Sequence, residues 1–135
     1  MDHAETYLKD LQHALAVLDL DQIKKARQAL SAARAEGKQI FVCGNGGSAS
    51  TASHLATDLG KGASQASAEA FKVMSLTDNI AWITALANDM SYEHVFVEQL
   101  RNFAQKGDVL LAISASGNSP NVIKAVEFAK ESENV

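Results

Sequence analysis

Three short apolar runs set the terms on which this chain can fold. They are KQIFVCG (38–44), FKVMSL (71–76) and DVLLAIS (108–114). Each has strand length and strand composition, rich in β-branched and aromatic residues, and each is too short for a helix. The stretches between them are far too long for hairpins and carry helical patterning. Strands joined this way pair in parallel through crossovers, so the chain predicts an α/β fold in layers around a small parallel sheet, in the order ααβαβααβα. Asp78 stands where it can cap a helix over NIAWITALAND (79–89). Ser91 can cap a second over YEHVFVEQLRNFAQ (92–105), which Gly107 ends, and Ser119 a third that has Pro120 at its first position. Residues 60–70, GKGASQASAEA, read as a mobile loop because they offer almost nothing to bury.

The N-terminal part reads differently. In residues 1–36, Leu8, Leu11, Leu15 and Leu18 fall three and four apart on one helical stripe. DLDQ (19–22) interrupts it, a second helix carries Ile23, Ala26 and Leu30, and Gly37 supplies a stop. This helical hairpin either packs on its own domain, residues 37–135, or makes a contact between subunits, a use that suits leucines near heptad spacing.

Composition narrows the class. The 135 residues are one domain's worth of chain, 47% hydrophobic and 21% charged, with a formal net charge of -4 that argues against a nucleic-acid or anionic-membrane surface. A single cysteine, Cys43, forbids an internal disulfide and fits a reducing compartment. MDHAETYLKD lacks the apolar core of a secretory signal, and no apolar run approaches the ~20 residues of a membrane span. A soluble cytoplasmic protein is expected.

Two strand-to-helix junctions carry the chemistry. In CGNGGSAS (43–50), Gly44, Gly46 and Ala49 match G-x-G-x-x-A, a dinucleotide fingerprint that is weak alone; the Walker lysine is absent. Asp78, near the end of the second strand, stands where a dinucleotide-binding unit holds its ribose, and also reads as a plain helix cap. In SASGNSP (114–120), Ser114, Ser116 and Ser119 line a helix start with hydroxyls, and no Lys or Arg follows until Lys124. Helix N-termini attract anions, and hydroxyls donate to phosphate without adding charge. Each loop also has a plain structural reading, a close-packing glycine turn or a serine-rich cap. Together they share the carboxyl edge of a parallel sheet, where ligands of such sheets bind.

GNGGSASTASHLATDL (44–59), SLTDNIAWITALANDMSYEHVF (75–96) and GDVLLAISASGNSPNVIKAVEFAK (107–130) resemble the sugar isomerase (SIS) domain family, and within it the phosphoheptose (sedoheptulose 7-phosphate) isomerase subgroup. The resemblance implies a three-layer, flavodoxin-like parallel sheet and a phosphorylated sugar as ligand. It implies an aldose–ketose isomerisation of sedoheptulose 7-phosphate to glycero-manno-heptose 7-phosphate through an enediol, performed by a homotetramer. It places Ser114, Ser116 and Ser119 on the phosphate, with Ala115 where the subgroup often has threonine. Asn45, Gly46, Gly47 and Ser48 fall on the substrate-binding glycine loop, and Asn88 and Asp89 on the same pocket. His54 and Asp58 stand on the family's His-x-x-x-Glu, whose glutamate is the catalytic base and which in some members binds zinc. Asp58 is one methylene shorter, and Thr51 replaces an aspartate common three residues before the histidine. The family's second acid–base group is a histidine from a C-terminal helix, accompanied by a glutamine. None of His3, His13, His54 and His94 holds that place, so the resemblance implies a C-terminally incomplete fold.

Other readings stand beside these. His54 and Asp58, four apart, can be a plain helical pair. His94 reads as structural or interfacial, Trp82 and Phe96 as core or interface, and Cys43 has no neighbour that would activate a thiol. Besides an isomerase, the chain fits a non-catalytic SIS module that binds a sugar phosphate or the replication initiator DnaA, or, on the glycine motif alone, a nucleotide-binding unit.

Overall fold

A computed structural model of the chain describes residues 2–65, 69–132 and 135. The three apolar runs form β1 (Gln39–Gly44), β2 (Lys72–Ser75) and β3 (Val109–Ile113), all parallel, in the order β2-β1-β3. Strand β1 is central because it is apolar on both faces. Ile40 and Val42 point to one side and pack with Ala33 and Ala52, from α2 (Leu20–Ala35) and α3 (Gly47–Thr57). Phe41 and Cys43 point to the other side and pack with Leu76, Val95, Phe96, Leu100, Val122 and Ala125. That second cluster involves α5 (Val97–Phe103) and α6 (Pro120–Glu131), with α4 (Ile80–Asp89) laying Ile83, Leu86 and Ala87 against it. Alternation along one buried strand thus makes three layers, and each fully buried Ile, Val or Phe contributes roughly 1.5–3 kcal/mol.

Helix α2 ends where Gly37 predicts: the Gly37 N–H donates to Arg34 O and the Lys38 N–H to Ala33 O, a closed helix terminus. Helix α1 (His3–Ala16) is different. None of its residues is buried: Leu8, Leu11 and Leu15 lie exposed on it, as does Leu18, which falls beyond its end.

Several expected boundaries move, each for a local reason. Asn79, not Asp78, caps α4: its Oδ1 accepts from the Trp82 N–H at 3.1 Å. The Asp78 carboxylate instead takes the Ser53 and Thr77 hydroxyls. The single helix expected over 92–105 is a 3₁₀ turn, Tyr92–His94, followed by α5, which stops at Phe103. Ser91 does not cap it; its hydroxyl goes to His94 Nδ1 at 2.9 Å. The early stop comes with extended backbone at Ala104 and a turn closed by buried Asp108, whose carboxylate accepts the Gln105 N–H at 2.8 Å and the Gln39 N–H at 2.9 Å before Gly107 can end a longer helix. The expected loop over 60–70 begins as a π-helical turn, Asp58–Gly62, that continues α3; its residues 66–68 lie outside the described residues.

Among the glycines, Gly44 is the one pressed against backbone. A Cβ there would stand 2.8 Å from Ser48 Cβ and 2.9 Å from the Ile113 carbonyl oxygen. Gly44→Ala is expected to cost about 1–3 kcal/mol by overpacking, because backbone must give way. Urea titration reads this as a lower midpoint at unchanged slope; an unchanged midpoint would show that the junction has slack.

Candidate functional site

The site is built from the two loops at the carboxyl ends of β1 and β3. At the first, Gly46 caps α3 with φ 55° and ψ -119°, backbone that only glycine adopts without strain. This kink turns the chain into α3 directly after β1 and places Gly47 and Ser48 in its first turn. At the second, Gly117 takes a positive φ, the Gly117 N–H donates to Ser114 O, and the Asn118 N–H donates to Ser116 Oγ at 3.2 Å. Ser119 is the N-cap residue of α6, as expected, yet its hydroxyl does not cap. Ser119 Oγ lies 3.2 Å from Ser114 Oγ, which lies 3.4 Å from Ser116 Oγ. The three serines therefore converge on one spot at a helix N-terminus, with Ala115 exposed beside them. Such a cluster of neutral donors is suited to an anion that must also leave.

The two loops are tied together by a pair of amides. Asn45 Nδ2 donates to Asn121 Oδ1 at 2.8 Å, and Asn121 Nδ2 donates to Asn45 Oδ1 at 2.8 Å. The Tyr92 hydroxyl donates to the same Asn45 Oδ1 at 3.1 Å. Asn121 is only 2% exposed. Neither Asn121 nor Tyr92 stands out in the sequence reading. For Asn121 there was a signal: a polar residue on the face of α6 that buries Val122 and Ala125. For Tyr92 there was none.

The remaining expected residues form separate pairs. His54 Nε2 lies 3.3 Å from Asp58 Oδ2, with the side chains 78% and 61% exposed; His54 stands two turns along α3 from the glycine loop and Asp58 at the start of the π-helical turn that follows. Asn88 Nδ2 donates to Asp89 Oδ1 at 2.8 Å at the end of α4, next to the turn that carries Tyr92. No third His, Cys, Asp or Glu joins His54 and Asp58 among the described residues. A zinc site takes at least three protein ligands, so the pair alone does not fit zinc. A recess of about 690 Å³ on the β2 side, lined by residues including Ser53, Asp78 and Phe103, contains none of the expected sugar-phosphate residues. Asp78, the ribose-binding candidate of a nucleotide site, spends its carboxylate there on hydroxyls.

A family model described as the SIS domain matches residues 5–134. The chain belongs to the SIS domain family. Among curated relatives, it is 41% identical over 109 residues to the phosphoheptose isomerase of Rhodospirillum rubrum, covering 81% of this chain and 57% of that protein. It is 48% identical over 98 residues to the phosphoheptose isomerase of Helicobacter pylori, covering 73% and 50%. Its structure is similar to that of phosphoheptose isomerase GmhA from Neisseria gonorrhoeae, with TM-score 0.84 and 34% identity over 97% of this chain and 67% of that one. It is likewise similar to a phosphoheptose isomerase from Francisella tularensis, with TM-score 0.84 and 27% identity over 98% and 72%. The three-layer parallel fold of the SIS domain is thus present here, while the chain spans about half of those two curated relatives' length. No helix among the described residues is long and apolar enough to cross a membrane.

Beside the glycine loop of this SIS domain, Cys43 is fully buried, and burial pushes its thiol up from 9.0 to about 12. The folded state therefore holds a proton that the unfolded chain releases above about pH 9. Stability from this group is whole below pH 9 and lost as pH rises toward 12. Urea midpoints at pH 8 and 10 are expected to fall with pH, with a smaller fall in Cys43→Ala. Equal falls in both proteins would remove Cys43 as the cause.

Proposed function

We propose that this SIS domain binds a phosphorylated sugar across the two loops and serves the isomerisation of sedoheptulose 7-phosphate to glycero-manno-heptose 7-phosphate. The observation that carries this reading is the convergence of Ser114, Ser116 and Ser119 at the start of α6, joined through Asn121 to Asn45 on the glycine loop. The serines take the phosphate. Asn45, Gly46, Gly47 and Ser48 take the body of the sugar, with Asn88 and Asp89 bordering it. The names of the relatives support the substrate class.

The reaction moves a proton between C1 and C2 of the sugar through an enediol, which requires a base at carbon and a group that serves the oxygens. Asp58 is the carboxylate in the place of the family's base. Its contact with His54 Nε2 orients it and lets the imidazole exchange protons with it. Because the pair is exposed, the substrate or a neighbouring subunit must shield it for the base to work in a dry site. The uncovered leucine stripe of α1 supports association with further copies, a homotetramer by resemblance. A second reading, a sugar-phosphate binder without turnover, draws on the shorter reach of Asp58 and on the exposure of the pair.

Incubation with sedoheptulose 7-phosphate, following both binding and aldose product, tests the proposal. Turnover that falls by about 10²–10⁴-fold in Asp58→Asn while binding survives is the expected result. Binding without turnover in the unaltered chain would favour the second reading. Ser114→Ala is expected to weaken binding of the sugar phosphate by about tenfold, the effect of one lost hydrogen bond to a charged oxygen. Full affinity in that variant would refute the serine cradle.

A further inference from the structure

The amide pair has a direction, and a backbone group sets it. The Val122 N–H can only donate, and it donates to Asn121 Oδ1 at 3.0 Å, while also reaching Ser119 O. Asn121 must therefore turn its oxygen toward Val122 and Asn45 Nδ2, and its nitrogen toward Asn45 Oδ1. A flipped Asn45 would set nitrogen against nitrogen and oxygen against oxygen, inside a contact whose partner is almost wholly buried. The Tyr92 hydroxyl then fills the second lone pair of Asn45 Oδ1. With both lone pairs taken and one hydrogen of Nδ2 used, what half-buried Asn45 has left is one N–H.

The turn that delivers Tyr92 is itself held from α6. Lys124, one turn beyond Asn121, lies 3.1 Å from Glu93 Oε2 and 3.4 Å from His94 Nε2, while His94 Nδ1 is engaged by Ser91 Oγ at 2.9 Å. One helix and its N-cap residue thus bring together Ser119 of the serine cluster, Asn121 of the amide pair and the lysine that anchors the tyrosine's turn.

We propose that Tyr92 is a positioning residue that, together with Asn121, fixes the Asn45 amide with its free N–H as a donor for the ligand. This rests on the sugar-phosphate reading of the site and deepens it: the ligand atom opposite Asn45 is an acceptor oxygen of the sugar body, such as its carbonyl oxygen. A hydroxyl reaching Asn45 is read through its lone pair. With no hydroxyl from residue 92, Asn45 Oδ1 regains an open lone pair, the pair loosens, and the site offers an acceptor beside its donor.

The test is Tyr92→Phe, a change at an exposed ring that removes one oxygen. Side-chain ¹⁵N–¹H spectra of the unliganded protein should show the Asn45 amide shifted and its protons exchanging faster, with the backbone signals of Ser114 and Ser116 unmoved. Affinity for sedoheptulose 7-phosphate should fall about five- to tenfold, while affinity for inorganic phosphate, which needs only the serines, stays within twofold. A merely structural role would lower both affinities together or neither, and either pattern overturns the proposal. An Asn45 signal identical in the two proteins overturns it too, whatever the ligand does. If the unaltered protein binds no sugar phosphate, the functional reading falls, and the spectra alone decide whether Tyr92 fixes Asn45.

Discussion

The absence of a side chain at Gly44 is what lets the site exist. At that residue the last peptide of β1 lies against the first turn of α3 and against the carbonyl of Ile113 at the end of β3. Any Cβ would push these three elements apart. Their closeness brings the glycine loop and the serine loop within reach of a single pair of short side chains. Asn45 and Asn121, seventy-six residues apart in sequence, can bridge the two junctions because the strands beneath them are hydrogen-bonded neighbours, with Gly44 in register with Ile113. The chemistry at the edge thus inherits its precision from sheet pairing and needs little rigidity from the loops themselves.

The division of labour across the sheet follows from β1. Its residues alternate between two apolar clusters, so each covering layer of helices is fixed by a different set of side chains. Helix α6 belongs to the larger cluster through Val122 and Ala125, while its first turn reaches the site. The same helix is therefore seated by hydrophobic burial along its length and committed to polar contacts at its start. That arrangement positions hydroxyls without asking them to bear load. Ser119 illustrates it: the Val122 N–H that a capping hydroxyl would take is held by Asn121 Oδ1 and the Ser119 carbonyl, and the serine hydroxyl is turned to Ser114 instead.

Much of this was legible in the sequence, and the exceptions are instructive. Strands, their parallel pairing and the two loops follow from run length, from the spacing between runs and from glycine and serine at strand ends, whereas the order β2-β1-β3 is seen only in the fold. The early end of the helix expected over 92–105 was not legible. It depends on Asp108, which lies beyond the helix in sequence and reaches back to the Gln105 N–H and across to Gln39. The exchange of roles between Asp78 and Asn79 likewise turns on hydroxyls of Ser53 and Thr77 that only the fold brings near. Tyr92 was invisible for the same reason. Its partner is forty-seven residues away, and nothing in YEHVF announces it.

Helix α1 leads to a consequence of another kind. A helix of 14 residues with no buried side chain has little beyond its own hydrogen bonds to hold it, and isolated helices shorter than about 12–15 residues are marginal in water. In a single chain this segment would sit near its helix–coil midpoint, decoupled from the cooperative unit formed by the sheet and its covering helices. Its leucines would order it only when something covers them. Helix content would then depend on protein concentration, and amide exchange in residues 3–16 would report association while the amides of β1 report global opening.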